Sequence, residues 1–160
     1  MISVLFVSGH DAGAHLIEWF GHGPFSHVEG VLPDGRLLGA RSDSVGGAPP
    51  GVQIRDPAYV QGLKTLRVDL ACSDLVTGRA YDWALSQVGK PYDSTAIAGF
   101  VVGRDWQQDD AWYCSEYWAS SLEKCGFFPY KPAAPANKID PNDLLLMLSV
   151  LTPIGLETVQ

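Results

Sequence analysis

Cysteine and histidine are the residue types in this sequence that could carry out nucleophilic chemistry. Cys114 stands in the stretch WYCSEYWASSLEKCG, residues 112–126, in the first turn of a predicted helix that ends at Gly126. The unpaired amide donors of a first turn and the positive end of the helix dipole favour a thiolate over a thiol. A thiolate nucleophile also needs a base, and imidazole is the usual one near neutral pH. Cys114 is therefore a candidate nucleophile, with a buried structural cysteine as the alternative.

The other two cysteines are predicted to have packing roles. Cys125 lies in register with Trp118 and Leu122 on the buried stripe of the same helix, and Cys72 follows a strand without a partner signal. The wide and irregular spacing of the three cysteines fits neither a disulfide framework nor the paired ligands of a zinc site. We therefore expect three free thiols.

Four histidines compete for the role of base. His10 and His22 adjoin glycines in predicted turns, and His15 lies in a predicted helix at 14–20. His10 and His15 have no convincing metal partners, so the sequence predicts no metal site and no cofactor. His27 differs from these three because it starts a strand whose partner can be derived.

His27 belongs to a predicted β-hairpin, SHVEGVLPDGRLLGARS, which turns at the Asp-Gly dipeptide 34–35. With a two-residue turn, the numbers of paired residues sum to 69, so His27 faces Ser42. Directly opposite side chains are close enough for the Ser42 hydroxyl to orient the imidazole. Glu29 lies on the same face and is the rival orienter, whereas Arg41 falls on the other face in this register.

Length and composition predict one domain over residues 1–160 with an α+β architecture. The chain is 46% hydrophobic and 18% charged, and its 17 glycines and 11 prolines indicate many turns rather than disorder. Strands are predicted at ISVLFV, in the two arms of the hairpin, at VQIR and at LKTLRVDL. Helices are predicted at 14–20, 74–88 behind a Ser73 cap, within 94–112 as a short helix and a loop, at 113–125, and from Pro141 behind an Asp140 cap. Strands dominate the first half and helices the second, which favours an antiparallel sheet.

Charge and hydropathy exclude several classes of partner. The net charge of -7, without a cluster of Lys and Arg, would repel a phosphate backbone, so no nucleic acid is expected to bind. No run approaches the roughly 18 apolar residues of a membrane span, so no stable membrane insertion is expected. The start, MISVLFVSGHDAG, lacks the basic region of a secretory signal, and the chain is expected to stay in the cytoplasm.

Three short motifs, taken in order, resemble a known family. FSHVEGVLPDGR, then GKPYD at 89–93 and YCSE at 113–116, resemble the circularly permuted papain-like amidases of the YiiX type, relatives of the NlpC cell-wall peptidases. In that permuted branch the histidine strand precedes the cysteine helix, and here His27 precedes Cys114. The resemblance implies a permuted papain-like, NlpC-like fold, in which the nucleophile-bearing helix packs against an antiparallel sheet.

The resemblance also implies the roles of individual residues. Cys114 falls on the family's nucleophile, and His27 falls on its base. The third catalytic position is a polar or acidic residue on the next strand, where this chain has Gly39 and Ala40, so Ser42 is the nearest substitute. A serine orients an imidazole but does not stabilise its cation as a carboxylate does.

We therefore expect a cysteine amidase or peptidase that cleaves a peptide, an isopeptide or a peptidoglycan-like small substrate through an acyl-enzyme. The expected catalytic residues are Cys114, His27 and Ser42, and the expected substrate-binding residues are Tyr92, Tyr113 and Glu29. One alternative is a lipid acyltransferase or thioesterase, because the lecithin-retinol acyltransferase group resembles the same arrangement. Another is a non-catalytic peptide-binding descendant, which the missing carboxylate and the missing secretion signal favour. A cell-wall enzyme without that signal would depend on phage lysis or a phage tail for delivery.

Overall fold

The computed structural model describes residues 1–9, 23–95 and 110–151. Predicted features outside these ranges are the helix at 14–20, most of the segment 94–112, and the three histidines His10, His15 and His22. Within the described ranges the protein has an α+β architecture with five strands and three α-helices, as the order of predicted elements indicates.

The five strands form one sheet in the order β4-β3-β2-β1-β5, and each of the four described pairings is antiparallel. The strands are β1 (Ile2–Val7), β2 (His27–Val31), β3 (Leu37–Arg41), β4 (Gly51–Arg55) and β5 (Thr65–Leu70). β-Branched and aromatic residues favour extended backbone in these segments. The predicted strands and the antiparallel sheet are therefore confirmed.

The β2–β3 hairpin differs from the prediction by one residue. Gly30 pairs with Leu38, so the numbers of paired residues sum to 68 rather than 69. The amide of Leu32 donates to the carbonyl of Arg36 at 2.8 Å, which closes a loop of three residues instead of two. The third loop residue, Gly35, has a φ of 85°, the left-handed conformation that such a loop requires at this position.

This shift changes the partner of His27. Continuing the observed register along the strands places His27 across from Arg41, and Glu29 across from Gly39. The predicted pairing of His27 with Ser42 is therefore wrong. Arg41 lies on the same face as His27 and not on the opposite one.

Two of the three helices begin at the caps that the sequence predicts. The helices are α1 (Asp74–Ser86), α2 (Cys114–Lys124) and α3 (Pro141–Ser149). The Ser73 side chain accepts from the amide of Val76 in α1, and the Asp140 side chain accepts from the first amides of α3. No helix in the described part of the chain has both the length and the apolar character that crossing a bilayer requires.

Trp118 fixes α2 against the apolar face of the sheet. The Trp118 ring lies directly over Gly30 of β2, where a Cβ atom would overlap the ring. Its indole Nε1 donates to the carbonyl of Leu38 in β3 at 2.9 Å. One side chain therefore holds the helix that begins at Cys114 onto the two strands of the hairpin.

Two further side chains of α2 join it to α1. The Tyr117 hydroxyl donates to the carbonyl of Ala84 at 2.7 Å, and the Ser121 hydroxyl donates to the carbonyl of Ala80 at 2.9 Å. All four residues are buried. Because both bonds end on the backbone of α1, the two helices are held in one relative position.

Asn142 at the start of α3 holds the chain just before β2. Its Nδ2 donates to the carbonyl of Phe25 at 2.9 Å, and its Oδ1 accepts from the amide of Phe25 at 3.2 Å. A side-chain amide thus satisfies both backbone polar groups of one residue, as a neighbouring strand would. Since Phe25 lies two residues before His27, α3 fixes the position at which β2 begins.

Replacing Gly30 with alanine is expected to destabilise the protein by about 1–3 kcal/mol, because the new Cβ overlaps the Trp118 ring in a packed core. Urea denaturation followed by tryptophan fluorescence measures the free energy of unfolding. Gly78→Ala in α1 is the control, since nothing lies within 4 Å of the added Cβ. We expect that control to stabilise the protein by about 0.5–1 kcal/mol, because alanine is the better helix former. Equal unfolding free energies for the two variants would contradict this account.

Candidate active site

Cys114 is the first residue of α2, as predicted. Tyr113 before it is extended, with φ of -101° and ψ of 169°, and its amide donates to the carboxylate of Glu116 at 3.4 Å. An acidic residue in the first turn is favourable at the positive end of the helix dipole. The amides of a first turn have no acceptors within their own helix. Cys114 therefore has its backbone in the part of α2 that best stabilises negative charge.

The GKPYD segment connects the sheet to the residues before Cys114. The amide of Val52 in β4 donates to the carbonyl of Lys90 at 2.9 Å. Tyr92 and Trp112 then form an isolated parallel bridge. Burial raises the pKa of the Tyr92 hydroxyl, and the charge of the nearby Cys114 raises it further. Tyr92 therefore lies near Cys114, and its role in binding a substrate stays a prediction.

His27, at the start of β2, lies beside Cys114. The two side chains are close enough for the Cys114 sulfur to act on the charge of the ring. The sulfur is also 4.0 Å from the carbonyl oxygen of Ser26. Cys114 is only 2% exposed, and the His27 side chain is 12% exposed. The pair is thus nearly sealed from water, and the low local dielectric constant strengthens the attraction between a thiolate and an imidazolium.

Glu29 is the third residue of this site. Its Oε1 lies 2.7 Å from His27 Nε2, so Nδ1 is the ring nitrogen left for Cys114. Glu29 is fully buried, with no exposed surface. It therefore lies behind the imidazole, where the prediction of a rival orienter puts it, and not in the predicted substrate-binding position. The structure brings Cys114, His27 and Glu29 together in one row.

The environment of His27 keeps its ring protonated. Burial alone would lower the pKa of the imidazole. The negative charges of Cys114 and Glu29, together with hydrogen bonds to both side chains, outweigh that effect and raise the pKa from 6.5 to about 9. His27 is therefore a cation at neutral pH.

Tyr59 belongs to the same cluster and is not predicted from the sequence. Its hydroxyl donates to Glu29 Oε1 at 2.5 Å, and the guanidinium carbon of Arg41 lies 5.1 Å from the centre of its ring. Tyr59 lies in a 3-10 turn, Pro57–Val60, between β4 and β5. No local motif marks this tyrosine, because its partner lies 30 residues away in the sequence.

Ser42 and Tyr113 do not occupy the predicted positions. Ser42 is exposed in a bend beyond the end of β3, because the hairpin register places Arg41 across from His27. Tyr113 is buried, and its hydroxyl donates to two backbone carbonyls in the segment before α3, each at 3.4 Å. Tyr113 therefore anchors the start of α2 and has no surface for a substrate.

The remaining cysteines have packing roles, as predicted. Cys125 is buried and its thiol donates to the carbonyl of Leu122 at 3.3 Å. Cys72 is partly buried against the core, with its sulfur 3.2 Å from the Thr77 hydroxyl. Cys72, Cys114 and Cys125 are all free thiols.

Comparison with known proteins identifies a similar fold. No family model matches the sequence, and no curated protein sequence is significantly similar to it. The structure is similar to that of metalloprotein yiiX from Escherichia coli O157:H7, with a TM-score of 0.58 and 20% sequence identity. The match covers 79% of this chain and 66% of the yiiX chain, so this chain spans just under two thirds of that neighbour's length. This likeness shows a YiiX-like α+β fold.

The yiiX neighbour is called a metalloprotein. In residues 1–9, 23–95 and 110–151, no group of three or more His, Cys, Asp and Glu side chains could hold a metal ion. The imidazole of the site is bonded to the Glu29 carboxylate and lies beside the Cys114 thiol.

Replacing Glu29 with glutamine is expected to lower the pKa of His27 from about 9 toward 6.5, because the ring loses an anionic partner. An NMR titration of the imidazole measures this pKa, with the resonances assigned from their absence in His27→Ala. Asp34→Asn in the exposed hairpin loop is the control, since Asp34 bonds to Arg36 and not to the site. A midpoint that stays near 9 in Glu29→Gln would contradict the role of the carboxylate.

Proposed function

We propose that this chain is a cysteine hydrolase that cleaves an amide or isopeptide bond through Cys114, His27 and Glu29. The observation that carries the proposal is the position of the His27 ring, which lies beside a thiol at a helix start and is bonded to a buried carboxylate. A nucleophile, a base and a group that orients the base are the three parts that such catalysis needs. The YiiX-like fold is consistent with a permuted papain-like domain, which is the finer fold assignment that we propose.

Acylation begins with the attack of the Cys114 thiolate on the carbonyl carbon. A carbon–sulfur bond forms and the carbonyl oxygen becomes an oxyanion, which the amides of the first turn of α2 would stabilise. The carbon–nitrogen bond then breaks, and the proton of the His27 imidazolium passes to the leaving amine. An acyl-enzyme and a neutral imidazole remain.

Deacylation reverses these proton movements. The neutral His27 imidazole takes a proton from water while the hydroxide oxygen attacks the thioester carbon. The carbon–sulfur bond breaks, Cys114 leaves as the thiolate, and the acid product departs. The imidazolium and thiolate are thereby restored for the next turnover.

Glu29 provides the charge that the predicted third residue, Ser42, lacks. A carboxylate both orients the imidazole and stabilises its cation, whereas a hydroxyl only orients it. The argument for a non-catalytic binding protein depends in part on a missing carboxylate. Because Glu29 is bonded to His27, that part of the argument no longer applies.

The groups beside His27 that reach solvent favour a polar substrate. Arg41 and Asp43 form a pair of hydrogen bonds of 2.7 and 2.9 Å, and the Asp43 side chain is half-exposed. The charge of His27 acts on Asp43, so this pair lies at the edge of the site. Burying an acyl chain against charged side chains is unfavourable. A peptide or a peptidoglycan-like small substrate therefore fits better than a lipid.

Cys114→Ala is expected to abolish turnover and labelling by a thiol-reactive acyl probe while the circular dichroism spectrum stays unchanged. The panel of substrates should include dipeptide amides and p-nitrophenyl esters of short and long acyl chains. Cys72→Ala is the control, because Cys72 is a more exposed thiol that lies outside the site. Equal labelling in Cys114→Ala would remove Cys114 from the mechanism, and a strong preference for long-chain esters would favour the lipid alternative.

Glu29→Gln and Ser42→Ala test which residue is the third member. Replacing the carboxylate behind a catalytic histidine lowers kcat by up to about 10⁴-fold, so we expect a fall of roughly 10²- to 10⁴-fold in Glu29→Gln. Ser42 is exposed and does not face His27 in the observed register, so Ser42→Ala should keep near-parental kcat/KM. Steady-state kinetics on the best substrate of the panel measures both variants. A larger loss in Ser42→Ala than in Glu29→Gln would restore the predicted assignment.

A further inference from the structure

The Glu29 carboxylate is surrounded by groups that take no part in the hydrolytic steps. Oε1 accepts a hydrogen bond from the Tyr59 hydroxyl in addition to the one from His27. Oε2 is buried and has no hydrogen-bond partner among the described residues. The two oxygens of one carboxylate therefore have different surroundings, and Tyr59 and His27 hold the same oxygen.

The charge of Arg55 in β4 acts on the Glu29 carboxylate. Its guanidinium is buried and donates to the carbonyl of Gly39 at 2.8 Å and to the carbonyl of Gly51 at 2.9 Å. Glu29 Oε2 lies against the same Gly39, where a Cβ atom would overlap it. Arg55 Nε, like Glu29 Oε2, is buried and has no hydrogen-bond partner in the described part of the chain. A cation with one unused donor thus flanks an anion with one unused acceptor.

We propose that Tyr59 is a positioning residue, which holds the Glu29 carboxylate against His27 and opposes the attraction of Arg55. This inference rests on the proposed hydrolase function. Without the Tyr59 hydroxyl, only His27 would hold Oε1. The carboxylate would then rotate toward the unused Nε of Arg55, and its bond to His27 would weaken.

The two supporting residues act at different stages of turnover. When His27 has given its proton to the leaving amine, Glu29 loses the cation beside it, and the Arg55 charge still compensates the buried carboxylate. Tyr59 keeps its proton throughout, because burial and the charge of Glu29 both raise the pKa of its hydroxyl. Arg55 therefore compensates the charge of Glu29, and Tyr59 keeps the carboxylate in place.

Tyr59→Phe tests this role, with Tyr81→Phe as a matched control. The Tyr81 hydroxyl also bonds to the sheet, by donating to the carbonyl of Val31 at 2.8 Å, but it does not contact the site. We expect Tyr59→Phe to lower the titration midpoint of His27 by about one pH unit. We also expect it to lower kcat by roughly tenfold with KM unchanged. Tyr81→Phe should change neither quantity, although it loses two hydrogen bonds of the folded state and Tyr59→Phe loses one.

A double variant shows whether Tyr59 acts through Glu29. Adding Tyr59→Phe to Glu29→Gln should cause no further fall in kcat, because the carboxylate to be positioned is already gone. Additive losses would overturn the proposal. A His27 titration midpoint in Tyr59→Phe equal to that of the Tyr81→Phe control would also overturn it, because Tyr59 would then have no effect on the carboxylate. A higher midpoint would overturn it too, because Tyr59 would then compete with His27 for the carboxylate. The NMR titration needs no substrate, so it decides this inference even if every amide and ester tested proves inert.

Discussion

The hydrogen bond between Glu29 and His27 is the interaction on which the rest of the site depends. A carboxylate without exposed surface is unfavourable unless charges and hydrogen bonds compensate its burial. Three separate segments supply that compensation: His27 on the same strand, Tyr59 on a 3-10 turn, and Arg55 on β4. The strands must therefore keep one register, because a slip by a single residue would turn Glu29 to the apolar face of the sheet.

Two glycines in adjacent strands make room for this arrangement on opposite faces of the sheet. Gly30 of β2 leaves space for the Trp118 ring on the apolar face, and Gly39 of β3 leaves space for the Glu29 carboxylate on the other. Glycine normally weakens the interior of a strand. Its presence here marks the two places where a large group must lie against the backbone. The same hairpin thus receives the nucleophile helix on one side and a buried charge on the other.

Local signals in the sequence predict most of the fold, whereas the site depends on contacts that no local signal contains. Strand composition, helix caps and the start of α2 at Cys114 follow from short stretches of residues. The hairpin register does not, because Asp-Gly also fits a three-residue loop that includes Pro33. That one-residue error puts Ser42 opposite His27, whereas alternation along β2 already places Glu29, the rival orienter, on the face of His27. Tyr59 and Arg55 are missed because each reaches Glu29 from a distant part of the chain.

The clamp between Asn142 and Phe25 has a consequence for the order of events during synthesis. Asn142 leaves the ribosome 117 residues after the backbone that it holds. A nascent chain can pair its strands before then, and Ser26 can already bond to Val7 of β1. The two bonds between Phe25 and Asn142 can form only after α3 has been translated. The segment leading into β2 therefore acquires its last tether after Cys114 and the whole of α2 have been synthesised.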